Sequence, residues 1–198
     1  MTTRAREYDM TARAAATGRT RERLLRAARE GIGDRHYDDV TLADIAAAAG
    51  VTVQTLLNHF GSKDGLLKAS AEFAAGDVAD LRGPVEPGDI DGAVAALMRH
   101  YEVLGDANWR FVADSERQPT MRAFLVGARA AHRAWIEEVF EPQLPAAGHR
   151  REEVIAGLYA ATDVGTWKLL RRDLDCTPER TLAVLRSLVV GQLQGASS

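Results

Sequence analysis

The sequence holds a single cysteine, Cys176, among 198 residues, so no disulfide can close within the chain. That fits a cytoplasmic setting, and Cys176 reads as an ordinary loop residue. Long apolar runs are missing as well. No stretch reaches the 18 or so apolar residues of a membrane span, and the opening MTTRAREYDMTARAAATG has no apolar core of signal-peptide length. Strand-like alternation is absent. So are catalytic signatures: there is no HExxH, no Cys–His pair and no glycine-rich phosphate loop. The five histidines, His36, His59, His100, His132 and His149, do not fall at metal-ligand spacing. These absences argue against an enzyme, and neither a cofactor nor a metal is expected.

A strong positive charge is also lacking, since the net charge is −3. Its distribution is uneven. Residues 1–68 carry 11 Lys and Arg against 9 Asp and Glu, whereas residues 69–198 carry 14 against 19. Seven arginines fall in the first 26 residues, so positive charge gathers at the N-terminal end.

What is present is helical periodicity. A first helix is expected from about Arg21 to Ile32, burying Leu24, Leu25, Ala28 and Ile32, with Gly31 and Gly33 helping to end it. A second opens at Thr41 with Asp44 three residues on, an acidic form of the capping box, and stops at Gly50. A third starts at Thr52, and a fourth runs from Ser62 to about Leu81. RGPVEPGDID, residues 82–91, is the clearest break. Beyond it, helices are expected to about Leu104, over Trp109–Glu116, Met121–Phe140 and Arg151–Arg172, and from Thr177 to Gln194 with Pro178 in the first turn. The fold class is all-α: a three-helix N-terminal domain joined by a fourth helix to a C-terminal helical domain. Residues 1–18 read as a flexible basic arm, 19–68 as the first domain and 69–198 as the second.

The third helix carries the functional signal. In VTVQTLLNHF, Val53, Leu56, Leu57 and Phe60 share an arc of about 100°. Gln54, Thr55, Asn58 and His59 face the other way, with neither Lys nor Arg among them. A merely solvated face usually carries Glu, Lys and Arg. Two helices joined by Gly50-Val51-Thr52 make a helix-turn-helix, whose second helix enters the DNA major groove. There Gln and Asn can pair with adenine, and Thr can touch a thymine methyl or a phosphate. A small capped helix with an idle polar face is the alternative that the pattern alone leaves open.

Residues 21–67, RERLLRAAREGIGDRHYDDVTLADIAAAAGVTVQTLLNHFGSKDGLL, resemble the N-terminal domain of the tetracycline-repressor (TetR) family. Thr41, Ile45-Ala46, Ala49-Gly50-Val51, Thr55-Leu56, His59-Phe60 and Ser62-Lys63 carry the likeness. It implies a dimeric, ligand-responsive transcription regulator, usually a repressor, on a palindromic double-stranded operator. Phosphate contacts fall to Thr41 and Lys63, and the groove-facing set to Thr52, Val53, Gln54, Thr55 and Asn58. His59 is a phosphate or packing residue. Leu57 stands where the family often has a tyrosine, and Val53 where a basic or polar residue is frequent. The recognition helix is thus less basic than usual, which leaves a helical scaffold with an inactive helix-turn-helix as the alternative function. Arg4, Arg6, Arg13, Arg19 and Arg21 could add phosphate contacts from the arm.

In the C-terminal part, the last helix is apolar almost all round. The helix before it has a second stripe of small residues. A homodimer through the last two helices is expected, with Gly157, Ala161, Val164, Leu185 and Leu188 at its interface; the resemblance implies the same. A small-molecule effector pocket is expected around Tyr101, Trp109, Glu116, His132, Trp135, Asp163 and Trp167. Its aromatics with Glu116 or Asp163 suit a cation, its apolar residues suit an uncharged hydrophobic effector, and the absence of any effector is the further alternative. A lone histidine such as His132 on an apolar face also reads as a satisfied core residue.

Overall fold

The computed structural model describes residues 3–195, with side chains from residue 14 onward. All of its regular structure is helical, and the chain divides into two compact units, Met1–Ala74 and Ala75–Ser198. Among the described residues no helix is long and apolar enough to cross a membrane.

In the first unit, α1 spans Thr3–Asp34. It starts earlier than expected and does not stop at Gly31 or Gly33. The sequence from Thr11 to Glu30 is rich in Ala and Arg and free of Pro. These are strong helix formers, and two isolated glycines cost a helix only about 1 kcal/mol each. Arg4, Arg6 and Arg13 of the expected arm lie outside the described side chains. A short 3-10 turn at Tyr37–Asp39 leads to α2, Leu42–Ala48. Helix α3 is Val53–Phe60, and α4, Lys63–Arg82, begins in this unit and ends in the second. Leu24, Leu25, Ala28, Val40, Ile45, Ala46, Leu56 and Leu66 form the core. Each fully buried leucine contributes about 1.5–3 kcal/mol.

The turn between α2 and α3 follows from one glycine. Gly50 has φ 66°, the left-handed region that penalises side chains. That conformation lets Gly50 N donate to Ala47 O at 3.0 Å and Val51 N to Ala46 O at 2.9 Å. This paired pattern is a Schellman closure of α2, and it turns the chain directly into the N-cap of α3.

In the second unit, α5 spans Ile90–Ser115 and α6 Pro119–Phe140. The two helices expected over the α5 region are one, because Gly105 does not break the turn. A β-carbon there would strike the Trp167 ring, so Gly105 is a close-approach position. The single helix expected over 151–172 is instead three pieces: α7, His149–Thr162; α8, Val164–Lys168; and a π-helical turn, Leu169–Asp173. The break at Asp163 has identifiable partners. Tyr101 Oη donates to Thr162 O at 2.8 Å and Thr166 Oγ1 to Ala160 O at 2.5 Å, so the last carbonyls of α7 are taken. The Asp163 carboxylate accepts from Gly165 N at 2.7 Å and caps α8. Helix α9, Pro178–Gln194, starts as expected, with Thr177 as N-cap. Trp167, Phe140, Leu158, Leu185 and Val189 belong to this core, and Cys176 is buried in it.

Candidate nucleic-acid interface and a buried aromatic cluster

Helix α2 opens with a full capping box. Thr41 Oγ1 accepts from Asp44 N, and Asp44 Oδ2 from Thr41 N, both at 3.1 Å. Such a cap contributes about 1 kcal/mol. The Thr41 backbone and hydroxyl hold the Asp44 carboxyl below its ordinary range, with help from Arg35. A carboxylate therefore already occupies this positive helix end. What Thr41 retains for an anion is its own hydroxyl proton, since its oxygen accepts.

Only Leu56 of the apolar arc on α3 is fully buried; Leu57 and Phe60 are half-buried, and Val53 is 37% exposed. The wheel alone places Val53 at the centre of the buried arc, but it lies in the first turn, where α3 extends beyond its support. Thr52, Val53, Gln54 and Asn58 are exposed, and Thr55 and His59 half-buried. The polar groups are pre-paired. Thr52 Oγ1 caps Thr55 N at 3.1 Å and lies 2.9 Å from Thr55 Oγ1. Gln54 Nε2 donates to Asn58 Oδ1 at 2.9 Å. That leaves the Gln54 carbonyl and the Asn58 amino group free in type: an acceptor and a donor side by side, the pattern an adenine edge complements.

Lys63 is less available than the sequence suggests. Its ammonium donates to Tyr37 O at 2.8 Å and lies 4.1 Å from the Tyr37 ring centroid. Tyr37 Oη donates to Asp64 Oδ1 at 3.1 Å. Burial first, then Asp64, pushes the phenol up to about 12, so it stays a donor. Lys63 keeps two further protons for a phosphate. Tyr37 was not legible as part of this site, because it lies outside both helical patterns. Arg21 sits over the Phe60 ring at 5.5 Å, bringing a cation to the end of α3.

In the second unit, four of the seven expected pocket residues gather. Tyr101, His132, Trp135 and Trp167 join Tyr159 and Arg82 around Thr162. Trp109 and Glu116 stand apart. Both are exposed, Trp109 lies under Lys168, and the continuous α5 carries Glu116 about 22 Å along its axis from Tyr101. Asp163 serves as the α8 cap, so it does not form a helical i, i+4 pair with Trp167; that indole donates to Glu102 Oε1 at 3.0 Å. Thr162 Oγ1 donates to Leu158 O, so it accepts from His132 Nε2 at 3.0 Å, and His132 Nδ1 accepts from Arg82 Nη2 at 3.2 Å. Burial, then the Arg82 charge, pulls His132 down to about 3.

Three of the expected interface residues are buried within the chain, and Gly157 is half-buried. Ala161, Val164 and Leu185 belong to the core, and a β-carbon at Gly157 would collide with Gln192. The small-residue stripe thus serves α7 against α9. Leu188 alone of the five stands out, 42% exposed. On α9, Ala183, Ser187 and Gly191 are also exposed, as are Ala156 and Ala160 on α7.

The chain is similar to known proteins in sequence and fold. The family model described as bacterial regulatory proteins, tetR family, matches residues 24–70. The HTH-type transcriptional regulator AlkX of Mycobacterium tuberculosis is 30% identical over 108 residues, 54% of this chain and 47% of that protein. The HTH-type transcriptional regulatory protein RaaS of the same organism is 42% identical over 73 residues, 37% of this chain and 30% of that protein. The matched parts thus span less than half of either relative. A transcriptional regulator from Rhodococcus sp. Rha1 has the same fold at TM-score 0.71 and 19% identity, over 88% of this chain and 96% of that one. The domain that holds α2, α3 and the Gly50 turn is thus similar to that of the tetR family of bacterial regulatory proteins.

Proposed function

We propose that the protein is a homodimeric DNA-binding transcriptional regulator, a repressor that leaves a palindromic operator when a small-molecule effector binds. In this reading residues 19–68 bind DNA, with 1–18 as an arm, and residues 69–198 bind effector and partner. The protein acts in the cytoplasm, where its operator lies. The carrying observation is the exposed, uncharged face of α3, whose Gln54–Asn58 pair is set for a base edge. Thr41, Thr52, Thr55, His59 and Lys63 are its flanking contacts, and Val53 its apolar one, suited to a thymine methyl. The dimer reading is supported by the exposed Leu188 and the exposed small residues of α7 and α9. A scaffold with an inactive helix-turn-helix is favoured by one observation, the engagement of Lys63 by Tyr37.

Selection of bound sequences from random duplex DNA separates the two. The regulator enriches an inverted repeat with half-sites about one helical turn apart. No enrichment over the input pool contradicts the regulator and favours the scaffold.

A further inference from the structure

Arg82 is a buried cation without an anion. It is 8% exposed, in the last turn of α4. Among the described residues no carboxylate pairs with it, and its partners are neutral. The guanidinium donates to His132 Nδ1 and lies 4.5 Å from the Trp135 ring centroid. Its Nε is buried with no partner. Arginine does not escape such a site by losing its proton, so the charge stays uncompensated.

A second donor in the cluster is in the same position. His100 is 3% exposed, and the Asn108 amide nitrogen lies 2.9 Å from its Nε2. An amide NH2 can only donate, so Nε2 accepts and the proton of the neutral ring sits on Nδ1. That Nδ1 is buried and has no acceptor. His100 is neutral, pulled down to about 3 by burial and then by the Arg82 charge, and its ring lies 4.5 Å from that of Tyr101 in the same cluster. One unpaired cation and two unpaired N–H donors in one aromatic-walled cluster call for an acceptor that carries negative charge.

We infer that this cluster is the effector site and that it takes a small organic carboxylate, with the carboxylate on Arg82 and His100 and the body against Trp135 and Tyr159. The inference rests on the effector-responsive reading proposed above. It departs from the cationic or uncharged ligand that the sequence suggests, because Glu116 is far along α5, Asp163 is spent on a cap, and Arg82 gives no sequence signal of burial.

The test uses the full-length protein without DNA. Acetate and benzoate are titrated against it, with acetamide and benzamide as neutral counterparts, at constant ionic strength. NMR follows the Arg82 Nε–H and His100 Nδ1–H signals, and thermal melting follows stability. The expected result is saturable movement of both signals and a higher Tm with at least one carboxylate, and neither with the amides. Arg82→Met should weaken that carboxylate at least tenfold, and His100→Phe should weaken it with the cation still in place. If neither carboxylate moves the signals, or the amides act equally, the inference is overturned. Since no DNA is present, that failure is distinct from failure of operator selection, which bears on the parent reading alone.

Discussion

His132 is held as a neutral ring between a guanidinium donor and a threonine hydroxyl, and His100 is held neutral nearby. Both sit at about 3 when folded, against an unperturbed value of about 6.5. Between those values the unfolded chain binds more protons than the folded one, so stability rises with pH across that window. It is complete above about 6.5 and is lost as the pH falls toward 3. Each imidazole accounts for about 1.4 kcal/mol per pH unit in the window, or about 2 kcal/mol by pH 5. Urea unfolding of wild type and His132→Gln between pH 7 and 5 checks this. The variant should be less stable at pH 7 but show a slope shallower by about one proton; equal slopes would contradict the assignment. At this scale legibility was uneven. Thr41 and Thr177 were readable as caps, because capping depends on neighbours in the chain. Val53, Lys63 and Arg82 were misread or missed, because their surroundings come from distant segments. Tyr37 engages Lys63 from 26 residues away, and His132 meets Arg82 from 50 away.

Helices α7 and α9 pack their small residues against each other within the subunit. Their small residues were expected to face a partner, yet Gly157 and Ala161 serve packing within the chain. Leu188 remains outward. If it meets a second copy, Leu188→Glu places an unpaired charge in a desolvated interface and shifts the protein to monomer with little loss of subunit stability. Val164→Glu, by contrast, buries that charge in the subunit core and unfolds it. Sedimentation at micromolar concentration, with circular dichroism as a check on folding, reads both outcomes; a monomeric wild type would refute the interface. Helix existence was legible from periodicity throughout. The break at Asp163 was not, because it is made by Tyr101 and Thr166 taking the end carbonyls of α7. A pattern of apolar spacing runs through such a break unchanged.

Taken as a whole molecule, the chain joins a helix-turn-helix unit that was readable residue by residue to a second unit readable only as helices with apolar faces. The difference is physical. The first unit is set by local rules: a capping box, a Schellman glycine and a short helix with a polar face. The second is set by which side chains meet across α5, α6 and α8, and its charge balance is invisible until they do. The central claim is that the uncharged face of α3 reads base edges in duplex DNA. Binding titrations on the selected duplex and a scrambled one, at several salt concentrations, test it most directly. Gln54→Ala and Asn58→Ala should each lose about 1–3 kcal/mol on the selected duplex only, with the salt slope unchanged. Because the two amides are paired, the double variant should lose less than the sum. Lys63→Ala should weaken both duplexes alike and make the slope shallower by about one unit. If the Gln54 and Asn58 variants bind the selected duplex as wild type does, α3 is not a reading helix and the claim fails.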